Sequence, residues 1–164
     1  MGPERAAFLS QARSDYQLFL FLRVQSQPPC HWLHYLQMCT EKVAKAYFWD
    51  TSTPPGDGGH RYFVSFMTYV SGITKVRNGL GLATLSELRN YIRPLIPIAR
   101  GIEALSPSVA GERENVEYPF PRSSPVTAPI DHPQFAVEPL LIGPDGVVFL
   151  AFLDRLFEQF DDWF

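Results

Sequence analysis

Residues 31–49, HWLHYLQMCTEKVAKAYFW, constrain the fold more than any other stretch. At about 100° per residue, Trp32, Leu33, Leu36, Cys39, Thr40, Val43, Ala46 and Tyr47 gather in one broad sector. His31, His34, Met38, Glu41, Lys42 and Lys45 gather in the opposite one. This pattern is an amphipathic helix of about five turns. Its apolar sector must be covered by other parts of the chain. Its polar sector is a solvated face, a network between helices, or a site.

Prolines and glycines partition the rest. Pro28 and Pro29 precede the amphipathic helix, predicted over 29–50, and DTSTPPGDGG follows it. An earlier helix is predicted over 3–27, with Phe8, Ala12, Tyr16, Phe19 and Leu20 at helical spacing and Leu18–Leu22 apolar all round. A third is predicted over 60–73, with Tyr62, Phe63, Phe66, Met67 and Val70 as its stripe. KVRNGLGLAT reads as a turn centred on Asn-Gly. A fourth helix, 84–105, carries Leu85, Leu88, Ile92, Leu95, Ala99 and Ile102, and Pro94 and Pro97 predict a kink or break within it. Residues 106–144 are proline-rich without a sustained period, and are expected to be irregular but tacked down by Tyr118, Phe120 and Phe135. A last helix over 146–161 is expected to be capped by Asp145. No strand alternation, repeat or second domain is visible. The expected fold is all-α: one domain over 1–164, a four- to five-helix antiparallel bundle with a long proline-rich loop before the last helix.

The helix at 31–49 also resembles a known signature. In HEPN domains (higher eukaryotes and prokaryotes nucleotide-binding), the second long helix reads roughly small-x-x-Gln-x-x-x-Glu-Lys-x-x-Lys-Ala. Gln37, Glu41, Lys42, Lys45 and Ala46 match that pattern in register. The preceding helix, the loop and a third helix opening at His60 fit the layout, so the resemblance spans about residues 5–105. It implies a helical bundle, often dimeric. Active members of the family are metal-independent ribonucleases with an Arg followed by His after four to six residues. Arg77-Asn78 resembles the start of that motif, but the next histidine is His132. Arg23 precedes His31 by too many residues and on another helix. The resemblance therefore implies a non-catalytic HEPN-like binding protein, of the kind found in bacterial toxin–antitoxin, defence or signalling systems. The alternative is a ribonuclease or nucleotide-processing enzyme with an atypical site drawn from His31, His34, Glu41, Lys45, His60 and Arg77.

Several site chemistries find little support in the residues. Cys30, His31, His34 and Cys39 suggest zinc, but Cys39 faces away from the others, and one straight helix cannot converge four tetrahedral ligands. The two thiols, nine residues apart on one helix, are about 13 Å apart and cannot form a disulfide. GDGG at 56–59 lacks the Lys-Ser/Thr of a phosphate loop, and no serine elbow accompanies Asp131-His132. No metal or cofactor is expected. The bland reading of the polar row is structural: Glu41 and Lys45 are an i,i+4 pair. A network of Asp15, His34, Gln37, Glu41, Lys42, Lys45 and His60 would then fix the register of the helices.

Composition bears on partners. The net charge is −3, with no basic run, so nucleic acid or nucleotide is a ligand class that the charge pattern does not support. Hydrophobic residues make up 46% and aromatics 14%, against only 19% charged. Leu18–Leu22 and the last helix, with Phe149, Phe152, Phe157, Phe160, Trp163 and Phe164, carry more apolar surface than one small bundle uses. A homodimer or another protein partner is expected to cover the excess. The charged start and short apolar runs predict no membrane span and a cytoplasmic protein.

Overall fold

The structure is a computed structural model that describes residues 2–25, 27–49, 62–121 and 126–164. It is mostly helical, and among the described residues it contains no strand, only an isolated antiparallel bridge between Phe120 and Thr127. Two long helices open it: α1, Pro3–Val24, and α2, Pro29–Trp49. They run antiparallel. Phe8 meets Trp49 at 5.3 Å between ring centroids, Lys42 meets Asp15, and Phe19 meets Trp32 at 6.2 Å. Pro3 and Pro29 sit in first turns, where the missing N–H has no intrahelical role.

α3, Tyr62–Val70, packs on α2 through Phe66 and Tyr47, 5.3 Å apart. The chain then makes α4, Thr74–Gly79, where sequence reasoning expected an Asn-Gly turn. The reason is positional. Thr-Lys-Val-Arg can enter a helix, and Asn-Gly serves as its end rather than its middle. The turn proper falls at Gly81, whose φ of 71° suits glycine.

The expected 84–105 helix is divided. α5 covers Leu85–Ile92, opened by the Thr84 side chain accepting from the Glu87 N–H. A 3-10 turn covers Arg93–Leu95, and α6 covers Ile96–Glu103. Pro94 and Pro97 cause the division, each in the first turn of the element it opens, where the missing N–H has no intrahelical role. The described residues of the 106–144 stretch hold more helix than expected. They contain α7, Pro107–Ala110, a 3-10 turn at Pro129–Asp131, and α8, Glu138–Ile142. Phe120 and Phe135 anchor this segment in the core, whereas Tyr118 stays exposed.

α9, Pro144–Trp163, begins at Gly143 rather than at a capping Asp145, and it buries one face while Val147, Asp154, Arg155 and Glu158 on the other stay exposed. Gly146 lies so close to the Leu141 carbonyl that a Cβ would overlap it. Phe149, Phe152, Phe157, Phe160 and Trp163 are all buried by the chain itself. Trp163 and Phe164 lie against α4 and the α2–α3 pair, so the surplus of aromatics on this helix needs no second chain. That removes half of the surface argument for a dimer. The other half stands: on α1, Leu18, Leu20, Phe21 and Val24 are 40%, 39%, 58% and 75% exposed. No helix among the described residues is long and apolar enough to cross a membrane.

Candidate functional site

The polar row on α2 is an internal network. Gln37 and Glu41 are buried because α1 and α3 flank α2 on both sides. The Gln37 amide donates to Glu41 Oε2 at 2.9 Å, and Lys45 Nζ meets Glu41 Oε1 at 2.5 Å. Lys45 also lies over the Tyr62 ring of α3, 5.8 Å from its centroid. Lys42 Nζ reaches Asp15 Oδ2 on α1 at 2.5 Å, and the Gln11 amide donates to the other oxygen at 2.9 Å. Side-chain exposure is 5% for Asp15 and 18% for Lys42. A carboxylate at that depth is tolerable only while it is paired.

These side chains form two groups: Asp15 with Lys42 and Gln11 between α1 and α2, and Gln37 with Glu41 and Lys45 along α2. His34 does not join them. It lies nearer the start of α2, where its Nδ1 is buried without a hydrogen bond, 3.8 Å from Glu117 Oε1. About two turns of helix separate it from Glu41. His60 lies outside the described residues. Arg77 sits on α4, its guanidinium donating to the Asn78 side chain at 2.5 and 3.1 Å. Arg23 lies over the Phe19 ring of its own helix, 5.9 Å from the centroid.

The start of α2 forms one wall of a cleft of about 490 Å³. Cys30, His31, His34 and Tyr35 line it from α2, Leu22 from α1, and Val116 and Glu117 from the segment after α7. Cys39 is elsewhere, in the core, with its Sγ donating to the Leu36 carbonyl. Burial pushes both thiols up from their ordinary range, Cys39 strongly, so each is held as a neutral thiol rather than a nucleophilic thiolate. Both cysteines are free. Among the described residues, no three His, Cys, Asp or Glu side chains are gathered as a metal ligand set.

Several contacts had no sequence signal. Glu117 enters the cleft from a stretch without periodicity. His132 is buried between the Phe120 and Phe135 rings, 5.2 and 4.6 Å away, with Glu114 Oε2 2.8 Å from its Nε2. The other Glu114 oxygen accepts from the Ala136 N–H at 2.7 Å, so one carboxylate closes the proline-rich segment on itself. Glu103 accepts the Val64 N–H at 2.8 Å, which ties the first turn of α3 to the end of α6.

Beside that segment, a second cleft of about 490 Å³ has Gly101, Leu105, Val137 and Leu140 as its floor and Glu112 and Arg113 on its rim. Two donor bonds hold the Arg113 guanidinium to the Val109 and Ala110 carbonyls. Neither cleft presents a base hydrogen-bonded to a nucleophile, the pairing that covalent catalysis needs. Set against known proteins, the chain matches no family model, no curated sequence and no solved structure.

Proposed function

We propose that this is a non-catalytic, HEPN-like helical protein that works by binding another protein chain. The observation that carries the reading is the commitment of the α2 charges to one another and to α1. Lys45 holds Glu41, Lys42 holds Asp15, and Gln37 donates to Glu41. The Lys42–Asp15 pair ties α2 to α1, the other contacts neutralise Glu41 within α2, and a catalytic reading would need these groups open to a substrate. The surface left for recognition is the outer face of α1, where Leu18, Leu20, Phe21 and Val24 stand exposed. Partners in a two-gene toxin–antitoxin, defence or signalling pair fit such a surface, because large apolar residues on an outer helical face mark protein interfaces.

One observation favours the enzymatic alternative: His31 and His34 share a cleft with Glu117. The decisive experiment is incubation of purified protein with single- and double-stranded RNA, read on a denaturing gel. Intact RNA is expected. Cleavage that disappears in His34→Ala would overturn the binding reading and assign the cleft a catalytic role.

A further inference from the structure

The cleft of about 490 Å³ beside the proline-rich segment is built by two distant parts of the chain. Gly101 and Leu105, at and just past the end of α6, meet Val137 and Leu140, where α8 begins. Gly101 allows the meeting, since an added Cβ would stand 2.9 Å from Val137 Cγ2. Leu105, Val137 and the nearby Phe120 are buried, so the floor is apolar and belongs to the packed interior.

Bonds between the parts hold the cleft in shape. Glu114 ties the rim to the floor: one oxygen accepts the Ala136 N–H, and the other lies 2.8 Å from His132 Nε2. The Val116 N–H donates to the Leu105 carbonyl at 3.2 Å. The Asn115 side chain accepts the N–H groups of Glu117 and Tyr118 at 3.0 and 2.8 Å. A preformed apolar recess of this size suits a small organic molecule.

Arg113, which lines the cleft, says what one end of that molecule should be. Its Nε donates to the Ala110 carbonyl at 3.1 Å and its Nη2 to the Val109 carbonyl at 3.2 Å. These bonds occupy one edge of the guanidinium. The other N–H groups, on Nη1 and on the outer side of Nη2, have no acceptor among the described residues. Two parallel N–H groups along one edge match the two oxygens of a carboxylate. The side chain is already anchored, so little of its freedom is lost on binding. Glu112 on the same rim is exposed and has no partner among the described residues. It is unanchored, and it restricts the charge of what Arg113 can take. One guanidinium between Glu112 and Glu114 balances a single negative charge better than the double charge of a phosphate.

We propose that this cleft binds a small molecule with an apolar body and one carboxylate. The carboxylate sits on the open edge of Arg113, and the body lies over Leu105, Val137 and Leu140. No α1 residue lines the cleft among the described residues, so the site stands or falls apart from the protein-binding reading.

The test is a titration of the full chain, followed in amide proton–nitrogen correlation spectra. The probes are phenylbutyrate, its alcohol phenylbutanol and its amine phenylbutylamine. Phenylbutyrate is expected to move the Gly101, Ala136 and Leu140 signals with a Kd of about 0.1–2 mM, ordinary for twelve non-hydrogen atoms. The alcohol is expected to bind roughly tenfold more weakly, having no charge for Arg113. Arg113→Gln should bring acid and alcohol to the same affinity, and Arg113→Lys should restore part of the difference. Glu112→Gln should tighten the acid about two- to fivefold by removing a like charge. Ala136→Trp changes an exposed position and keeps the N–H that Glu114 accepts, and it should fill the cleft and abolish binding of both probes. An unchanged far-UV spectrum and melt would show that this variant is folded. Spectra that do not move at several times the expected Kd overturn the proposal. Equal binding of acid and alcohol by the native chain overturns the carboxylate assignment. So does tighter binding of the amine that is lost in Glu112→Gln.

Discussion

The Tyr16 hydroxyl on α1 donates a 2.6 Å hydrogen bond to Asp154 Oδ1 on α9, and the Tyr16 ring stacks on Phe157 at 4.5 Å. Burial foremost, and then this bond to the carboxylate, push the phenol well above its ordinary range. Tyr16→Phe keeps the stack and loses the bond. We expect a loss of about 1.5–2 kcal/mol, the value of a hydrogen bond to a charged acceptor. Urea denaturation with an unchanged m-value checks it.

The raised phenol and thiols predict the alkaline limit of stability. Tyr16, Cys30 and Cys39 all resist ionisation in the folded chain, from ordinary values of 10.0 for tyrosine and 9.0 for cysteine. Once unfolded, they lose their protons near those values. Above them the unfolded state binds fewer protons, so stability falls as pH rises. Below about pH 8 these groups contribute no pH dependence. Each of the fully buried ones adds a slope of about 1.4 kcal/mol per pH unit above its unfolded pKa. Thermal melts from pH 7 to 11 are expected to show a flat region followed by a decline. Replacing Cys39 with Ala should make that decline shallower.

Asp15 and Lys42 form a pair that a double-mutant cycle can isolate. Lys42→Met strands a buried carboxylate and is expected to cost roughly 3 kcal/mol. Asp15→Asn together with Lys42→Met removes both charges and should recover most of that loss. Equal and additive losses would show that the two residues act independently.

Gly79 ends α4 directly against the Trp163 indole, and the nearest atoms to an added Cβ would be Trp163 Nε1 and Cε2 and Gln159 Oε1. Gln159 accepts the indole N–H at 2.9 Å. Gly79→Ala must push the ring aside or break that bond, at an expected cost of 1–3 kcal/mol, typical of overpacking. A changed tryptophan emission maximum together with a lower Tm would register both effects.

Helix positions were legible in the sequence where a long apolar period governed them. Pro3, Pro29 and the 3.6-residue stripe of α2 suffice to place the first two helices. Asp15 and Lys42 were read as members of one polar network but not as a pair, because helical angle alone does not say which residues of neighbouring helices face each other. The misreadings share a cause. Asn78-Gly79 can begin a turn or end a helix, and only the packing of Gly79 on Trp163 decides which. The aromatics of α9 looked like surplus surface because their cover, α4 and α3, lies more than eighty residues away in the chain. Glu117 and Glu114 sit in a proline-rich stretch with no period, so nothing local indicates that one faces His34 and the other His132. His34 was misplaced for a related reason. Helical angle puts it on the face of Glu41, but the elements that pack over that face change along its length.

The packing of α9 on α1, α3 and α5 also sets an order in time. α1 and α2 can pair as soon as both have been made, since only a short link separates them. The inner side of α1 stays incomplete for far longer, because Tyr16 waits for Asp154 and Phe157, which lie 138 and 141 residues later. Until α9 arrives, Phe63 and Tyr91 also lack the rings that cover them, Phe149 and Phe152. During synthesis the growing chain therefore holds open an oily trough until α9 fills it. Such a chain folds late rather than progressively, and that interval is when it most needs protection from aggregation.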